Sequence, residues 1–309
     1  MATKLEQLVA LLRKAPDEVF IQTHDVPDPD AIGAAFGLQY LLQINGIPAQ
    51  IIYNREIEKA DTCKMLKLFD ISITHHSKVA TLGTEDWAVL VDAQKGNANL
   101  LDLPTDEVAC IDHHELKQEQ HYHYADIRPE LGACSTIIAE YFFENHIEPT
   151  PIVATALLYG IFVDTDNLSR GVSNYDVEMF YRLYPYAKKS MLTELRGSQI
   201  TQKDLLLYAE AFHNVETYGC LAFLKIQDAN DSLIGAANDF VLSIDTVSVS
   251  IAYSRKKDGI KLSIRSTQPE VKANDLVRYI TADIGVGGGH AHMAGGFIPE
   301  SNIPTDKNI

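Results

Sequence analysis

The chain has 309 residues, enough for two ordinary domains, and its 46% hydrophobic and 22% charged composition is globular rather than disordered. Against 42 Asp and Glu stand 26 Lys and Arg, a formal charge of −16 that argues against a broad basic groove for long nucleic acid. It leaves room for a small phosphorylated ligand held through cations. No apolar stretch approaches the roughly 20 residues of a membrane-crossing helix. The start, MATKLEQLVALLRKAPDE, reads as an amphipathic helix rather than a signal peptide. Cys63, Cys110, Cys134 and Cys220 show no CxxC spacing, so the expectation is a cytoplasmic protein with reduced thiols and no membrane partner.

In chain order, Glu18–Thr23 (EVFIQT) reads as a strand, followed by a loop and a helix over Ala31–Ile44. Ala49–Tyr53, Trp87–Val91 and Glu107–Ile111 are further strand candidates; Asp61–Phe69, Cys134–Asn145 and Ile152–Phe162 are helix candidates. Short β-rich runs with helices between several of them predict an α/β fold built on a mainly parallel sheet. Asn174–Tyr184 reads as a helix and Pro185–Ser198 as a connector. Beyond it, a helix over Thr201–Asn214, strands over Cys220–Ile226, Thr246–Ser254 and Ile260–Arg265, and a helix over Asn274–Ile284 predict a smaller α/β domain with a mixed sheet. Lys256-Lys257-Asp258-Gly259 reads as a charged hairpin turn with Asp-Gly as its signal. Six of the 18 glycines fall within Gly285–Gly296, a dense glycine segment for which a tight loop is the less favoured reading. The boundaries expected are 1–187, a linker at 188–199, and 200–309.

Ligands of open parallel sheets bind outside the carboxyl ends of the strands, and the acids and histidines gather there. His24, Asp28 and Asp30 follow the first strand in HDVPDPDAIG, with Pro27 and Pro29 fixing the backbone on either side of Asp28. Asp92 ends WAVLVD; Asp112, His113 and His114 end EVACIDHH; Asp164 follows an apolar helix reaching the same edge. Singly, an Asp after a strand is an ordinary turn or cap residue; four such segments at one edge are a cluster. Two carboxylates about 4 Å apart repel by roughly 4 kcal/mol at an effective dielectric of about 20, so the cluster needs divalent cations or raised pKa values. Mixed His and Asp ligation without thiolate suits manganese, ahead of magnesium, cobalt or iron. A structural zinc site would use cysteines at short spacing. Two metals about 3.5–4 Å apart can share an activated water and steady both oxygens of a phosphoryl displacement.

HDVPDPDA, VLVDAQ, IDHH and GIFVDTD, in this order near strand ends, resemble the four motifs of the DHH phosphoesterase superfamily. LSIRS and GGGHAHMAGG resemble the DHH-associated C-terminal domain of RecJ-like exonucleases and NrnA-type oligoribonuclease/pAp phosphatases. The resemblance runs from residue 24 to 296. It implies one manganese on His24, Asp28 and Asp92 and a second on Asp30, Asp92, His113 and Asp164, with Asp92 bridging and the shared water as nucleophile. It implies that Asp112 orients the histidine pair and that His114 contacts the scissile phosphate or helps the leaving group. In the second domain it makes Arg265 a substrate-binding arginine and Gly288, Gly289 and His290 a clamp for the substrate's terminal phosphate and base. Glycines that let backbone N–H groups approach an anion agree with this.

Two departures bear on substrate preference: DTDNLSRG replaces the usual DTG plus aromatic, and Glu115-Leu116 follows DHH in place of a proline-containing continuation. Arg170 is either a phosphate contact or a helix-flanking charge. His75-His76 and His121/His123 look like metal pairs but lack an accompanying strand-end acid, so exposed loop histidines are favoured. His292 is a possible assistant to His290. Tyr253-Ser254-Arg255-Lys256-Lys257 resembles the SRKK run of DHH-family inorganic pyrophosphatases, but it precedes LSIRS as a hairpin.

The expectation is a two-domain hydrolase with a cleft between a metal-bearing N-terminal domain and a substrate-gripping C-terminal one. Its expected activity is manganese-dependent hydrolysis of short oligonucleotides (nanoRNA, linear dinucleotides such as pApA) or of 3′-phosphoadenosine 5′-phosphate. Long duplex nucleic acid is not an expected partner, and a homodimer is the assembly to test. The rivals are an inorganic pyrophosphatase or exopolyphosphatase and a nucleotide sensor without turnover.

Overall fold

The protein is described as a computed structural model covering residues 2–57, 59–97, 99–116, 121–196, 202–227, 229 and 231–303. It divides into two compact units, residues 1–199 and 200–309. Unit 1 runs α1 (Lys4–Leu12), β1 (Val19–Gln22), α2 (Pro29–Ile44), β2 (Ala49–Tyr53), α3 (Ala60–Phe69), β3 (Thr74–His75), β4 (Trp87–Val91), β5 (Asp106–Asp112), β6 (Tyr124–Ile127), α4 (Cys134–Glu144), α5 (Pro151–Asp164), α6 (Asn174–Leu183) and α7 (Lys189–Arg196). Its six strands are all parallel, in the order β3-β2-β1-β4-β5-β6. The order reverses between β1 and β4, which opens a crevice beyond their carboxyl ends.

The local sequence explains these elements. β4 and β5 are continuous buried apolar runs, WAVLV and VACI, as expected of central strands covered on both faces. α2 is buried along most of its length and carries small residues, Ala31, Gly33, Ala34, Ala35 and Gly37, on its inward surface. It starts sharply because Asp28 caps it, its Oδ1 accepting from Asp30 N and Ala31 N at 3.1 Å each, with Pro29 following in the first turn. α5 repeats the device with Thr150 and Pro151. Both helices lie in one core with Leu38, Leu41, Leu42, Leu157 and Ile161.

Unit 2 runs α8 (Gln202–His213), β7 (Glu216–Tyr218), β8 (Leu221–Lys225), α9 (Asp231–Leu242), β9 (Val249–Lys256), β10 (Gly259–Ser266), α10 (Ala273–Thr281), β11 (Val286–Gly289) and β12 (Met293–Pro299). Its sheet order is β11-β12-β10-β9-β8-β7, mixed because β8 and β9 are parallel across the α9 crossover while the other pairs are antiparallel. The α/β class and the parallel-plus-mixed pair of sheets agree with the sequence expectation. Among the described residues no helix is long and apolar enough to cross a membrane.

Three local expectations change, and the loop alternative for the glycine segment falls. Within the segment read as a connector, residues 189–196 form α7, whose Leu192 and Leu195 join the core of unit 1. The helix α9 was not expected. The glycine segment is not a loop: β11 and β12 pair through it. A Cβ at Gly287 or Gly296 would lie 2.8 or 2.7 Å from Val277 Cγ2, so these glycines let α10 press onto the sheet. The β9–β10 turn is Lys257-Asp258, with Gly259 already paired to Lys256 in the ladder.

Candidate metal centre

The side chains converge because the sheet is parallel: His24 follows β1, Asp92 follows β4, and Asp112 ends β5 with His113 and His114 next. Asp164 closes α5 at the same edge. Among the described residues, three groups of potential ligand atoms result, each within 4.8 Å: His24, Asp28 and Asp92; Asp30, His113 and Asp164; and Asp92, Asp112, His113 and His114. Asp92 stands between the histidines, its Oδ2 3.7 Å from His24 Nε2 and its Oδ1 3.4 Å from His113 Nε2. His113 Nε2 is also 3.1 Å from Asp164 Oδ2, and His24 Nε2 is 3.9 Å from Asp28 Oδ2.

Each of these side chains is aimed by a neighbour. Asp28 spends Oδ1 on the α2 cap, which leaves Oδ2 for His24. Asp30 is fully buried and accepts from the first turn of α4, Oδ2 from Cys134 N at 2.6 Å and Oδ1 from Ser135 N at 2.9 Å. His113 Nδ1 lies 3.1 Å from Leu131 O; donation there fixes the tautomer and points the Nε2 lone pair inward. Asp112, also buried, accepts at Oδ1 from His113 N at 2.8 Å and His114 N at 3.2 Å, and pairs with His114 Nδ1 at 2.8 Å. Asp92 adopts a left-handed backbone, φ 58°, a conformation rare outside glycine and asparagine and concentrated at functional sites.

The electrostatics follow from burial and like charge. Burial, then the Asp92 and Asp164 charges, push Asp30 well above the usual carboxylate range; burial also raises Asp92. Burial alone would raise Asp28 and Asp112 too, but the nearby His24 holds Asp28 below the usual range, and the hydrogen bond and charge of His114 hold Asp112 below it. Burial lowers His113, yet Asp164 and Asp92 together drive it well up; burial also lowers His114, but the Asp112 hydrogen bond with the Asp92 and Asp112 charges brings it to about 9. Asp92 Oδ1 and His113 Nε2 are buried with no hydrogen-bond partner. With Nδ1–H turned to Leu131, these are two acceptors facing each other, which a proton or a cation must reconcile. Carboxylate and imidazole donors without thiolate suit a borderline divalent ion, so the residues fit a metal centre.

Gln94 escaped the sequence reading. Buried at 2% exposure, it donates from Nε2 to Asp112 Oδ2 at 2.8 Å and His114 O at 3.0 Å, tying the β4 and β5 loops together. Its only sequence signal is its place two residues after Asp92. His75, His76, His121 and His123 join no metal-ligating group among the described residues.

In unit 2 the Arg265 guanidinium is 7% exposed and bonded to Asp239, Ser263 Oγ and Ile264 O. Gly288, Gly289 and His290 lie at the exposed end of β11, with His290 N donating to Met293 O at 2.7 Å. Arg170 N donates to Thr165 O, within a turn whose Asp166, Asn167 and Leu168 are all left-handed.

Several known proteins are similar to the chain. An uncharacterised Methanocaldococcus jannaschii protein, MJ1633, is 30% identical over 292 residues, covering 93% of this chain and 59% of its own. The chain therefore spans about three fifths of that relative. A probable manganese-dependent inorganic pyrophosphatase of Streptococcus thermophilus is 24% identical over 85% of this chain and 82% of its own. The bifunctional oligoribonuclease and PAP phosphatase NrnA of Thermus thermophilus is 26% identical over 94% of this chain and 87% of its own. The crystal structure of an exopolyphosphatase-related protein from Bacteroides fragilis shares the fold, with a TM-score of 0.77 at 19% identity over 94% of this chain and 90% of that one. The family model for the DHH N-terminal domain matches residues 18–161, containing His24, Asp28, Asp30, Asp92, Asp112, His113 and His114, and that for the DHHA1 domain matches 219–306. With its strand-end carboxylates and histidines in unit 1 and a DHHA1 domain in unit 2, the chain belongs to the DHH family.

Proposed function

We propose that the protein is a manganese-dependent phosphoesterase of short nucleotides, cleaving short oligonucleotides, linear dinucleotides such as pApA, or 3′-phosphoadenosine 5′-phosphate. The observation that carries this reading is the pair of buried, unpartnered acceptors, Asp92 Oδ1 and His113 Nε2, 3.4 Å apart, where the His24, Asp28 and Asp92 group meets the Asp30, His113 and Asp164 group. His24, Asp28 and Asp92 would hold one ion, and Asp30, Asp92, His113 and Asp164 the other. Bound there, two divalent ions would neutralise the phosphoryl oxygens and activate water. The chain's own residues do the rest. Asp112 and Gln94 hold the His114 ring by Nδ1 and by its carbonyl, and His114, partly exposed, presents its other nitrogen to the phosphate or the leaving oxygen.

The nucleotide preference is supported by the Thermus relative, whose similarity extends across both units. The exposed Gly288-Gly289-His290 segment is proposed to contact substrate, its backbone able to approach an anion closely. Arg265 would do so only by leaving Asp239. The test is a manganese-dependent hydrolysis panel of pApA, pAp, cyclic dinucleotide, pyrophosphate and polyphosphate, ranked by kcat/KM. Release of mononucleotide or phosphate from the linear nucleotides, ahead of pyrophosphate, is expected. A chain that cleaves pyrophosphate or polyphosphate alone is instead a polyphosphate hydrolase. One that binds nucleotide and turns over nothing is a sensor.

A further inference from the structure

The connection from β2 to α3 carries two cations, Arg55 and Lys59, and is fastened to the His24 loop at Arg55. Arg55 N donates to Asp25 O at 2.7 Å, which fastens the connection beside His24. Arg55 Nε lies 3.4 Å from Asp25 Oδ2 while the side chain is 68% exposed, so most of its donors face outward. Lys59, exposed at the start of α3, takes part in no ion pair among the described residues. In a chain of net −16 these cations do not arise from a general basic surface.

A set of rings lies next to them. β2 and β3 end side by side, with Tyr53 opposite His75 in register. The Tyr53 and His75 ring centroids are 5.4 Å apart at 85°, and His76 follows at 4.9 Å and 32°. All three are partly exposed, and Ser77 N donates to His75 Nδ1 at 3.2 Å, which holds that ring in place. β2 adjoins β1 and β3 lies one strand further, so Tyr53 and His75 stand about 5 and about 10 Å along the sheet from the strand that leads into the His24 loop. Those separations are of the order of a nucleobase from its own phosphate.

We propose that this corner is a second subsite of the active site, in which Arg55 and Lys59 hold a phosphate other than the one cleaved and the Tyr53, His75 and His76 rings receive the nucleobase. The ligand class is a nucleotide with two phosphate groups across one ribose. A 3′,5′-bisphosphonucleoside satisfies this, as does the first nucleoside of a 5′-phosphorylated dinucleotide. Pyrophosphate supplies a second phosphate and nothing for the rings. The assignment rests on the phosphoesterase reading above and deepens it.

Two measurements on the full chain with manganese test it. Calorimetry with a phosphorothioate-linked 5′-phosphorylated diadenosine is expected to show a Kd about tenfold weaker for Arg55→Ala/Lys59→Ala, and weaker also for Tyr53→Leu. Lys59→Ala alone, which leaves the Arg55–Asp25 pair intact, guards against a folding defect and is expected to fall between parent and double variant. In turnover, the double variant is expected to lose at least about tenfold more kcat/KM on pApA than on bis(4-nitrophenyl) phosphate, mainly through KM. Unaltered dinucleotide affinity in folded variants, or equal losses on both esters, overturns the subsite. A parent that binds the dinucleotide but cleaves no nucleotide sinks the phosphoesterase reading instead, and the binding arm still decides the subsite.

Discussion

Asp30 and Gly160 compete for one volume: a Cβ on residue 160 would lie 2.8 Å from Asp30 Oδ1 and 2.3 Å from Ser135 Oγ. The bare glycine lets α5 lie against the place where Asp30 meets the first turn of α4. Gly160→Ala is expected to destabilise the fold by about 1–3 kcal/mol through overpacking, and to weaken metal binding because Asp30 must move. Chemical denaturation and manganese calorimetry check both effects. A variant as stable and as metal-avid as the parent would show that the contact relaxes at no cost to the site.

Gln94 joins the loops that carry Asp92 and His114. Gln94→Leu leaves Asp112 Oδ2 without its partner, and activity is expected to drop about 10–100-fold, the usual range for a residue behind a metal ligand. Gln94→Glu sets a carboxylate against Asp112 and is expected to be worse. Steady-state kinetics with thermal melts separate this from unfolding. Near-parental turnover in Gln94→Leu would dismiss the role.

Asp92→Asn and Asp92→Ala are expected to diverge in the chelated protein. Asparagine tolerates the left-handed backbone at φ 58° and removes a buried charge facing Asp28. Its metal-free melting temperature should match or exceed the parent's. Alanine lacks the polar side chain that eases that backbone and should melt lower. Both should lose most of the rise in melting temperature that manganese gives the parent. Identical melts for the two variants would remove the backbone argument.

The pH response of the chelated protein has a defined sign. His113 and His114 have raised pKa values in the folded chain, His114 at about 9. Their stabilisation is fully present below the unfolded histidine value near 6.5 and is lost as pH rises through the folded values. Asp30 and Asp92, also raised, act in the same direction from lower pH. In EDTA the melting temperature is therefore expected to fall between about pH 6.5 and 9.5. Manganese should reverse this trend, since it competes with protons for the same atoms. A flat metal-free profile in scanning fluorimetry would contradict it.

Asp176 is fully buried and accepts from Thr136 Oγ1 at 2.6 Å, Gly132 N at 2.9 Å and Ser173 N at 2.7 Å. It thereby fixes the chain beside Leu131, whose carbonyl takes the His113 ring. Asp176→Ala is expected to cost about 3 kcal/mol or more in denaturant unfolding, because several buried donors lose their acceptor. A loss below about 1 kcal/mol would mean that water replaces the carboxylate.

The strands β1, β2, β4 and β5 were legible because buried parallel strands are short unbroken apolar runs, and the acids and histidines at their ends were legible for the same reason. What could not be read is contact between distant segments. Gln94 reaches a carboxylate 18 residues away, and the α4 N–H groups reach Asp30 across more than 100 residues; neither leaves a spacing pattern. β11 and β12 were hidden because glycine disfavours strands; here it is tolerated so that α10 can approach. The α9 segment DSLIGAANDFVL carries Gly235 and Asn238, weak helix formers. Asn238 is buried and bonds Ser263 O across the sheet, a tertiary reason invisible along the chain.

The Asp28 cap has a consequence for the speed and tightness of ion capture. A carboxylate free to rotate must surrender that freedom when it coordinates; Asp28 has already surrendered it in starting α2, as Asp30 has to α4 and His113 to Leu131. Three of the side chains proposed as ion ligands are thus held in place by the protein itself. Capture should then be limited by stripping water from the ion rather than by reorganising the protein.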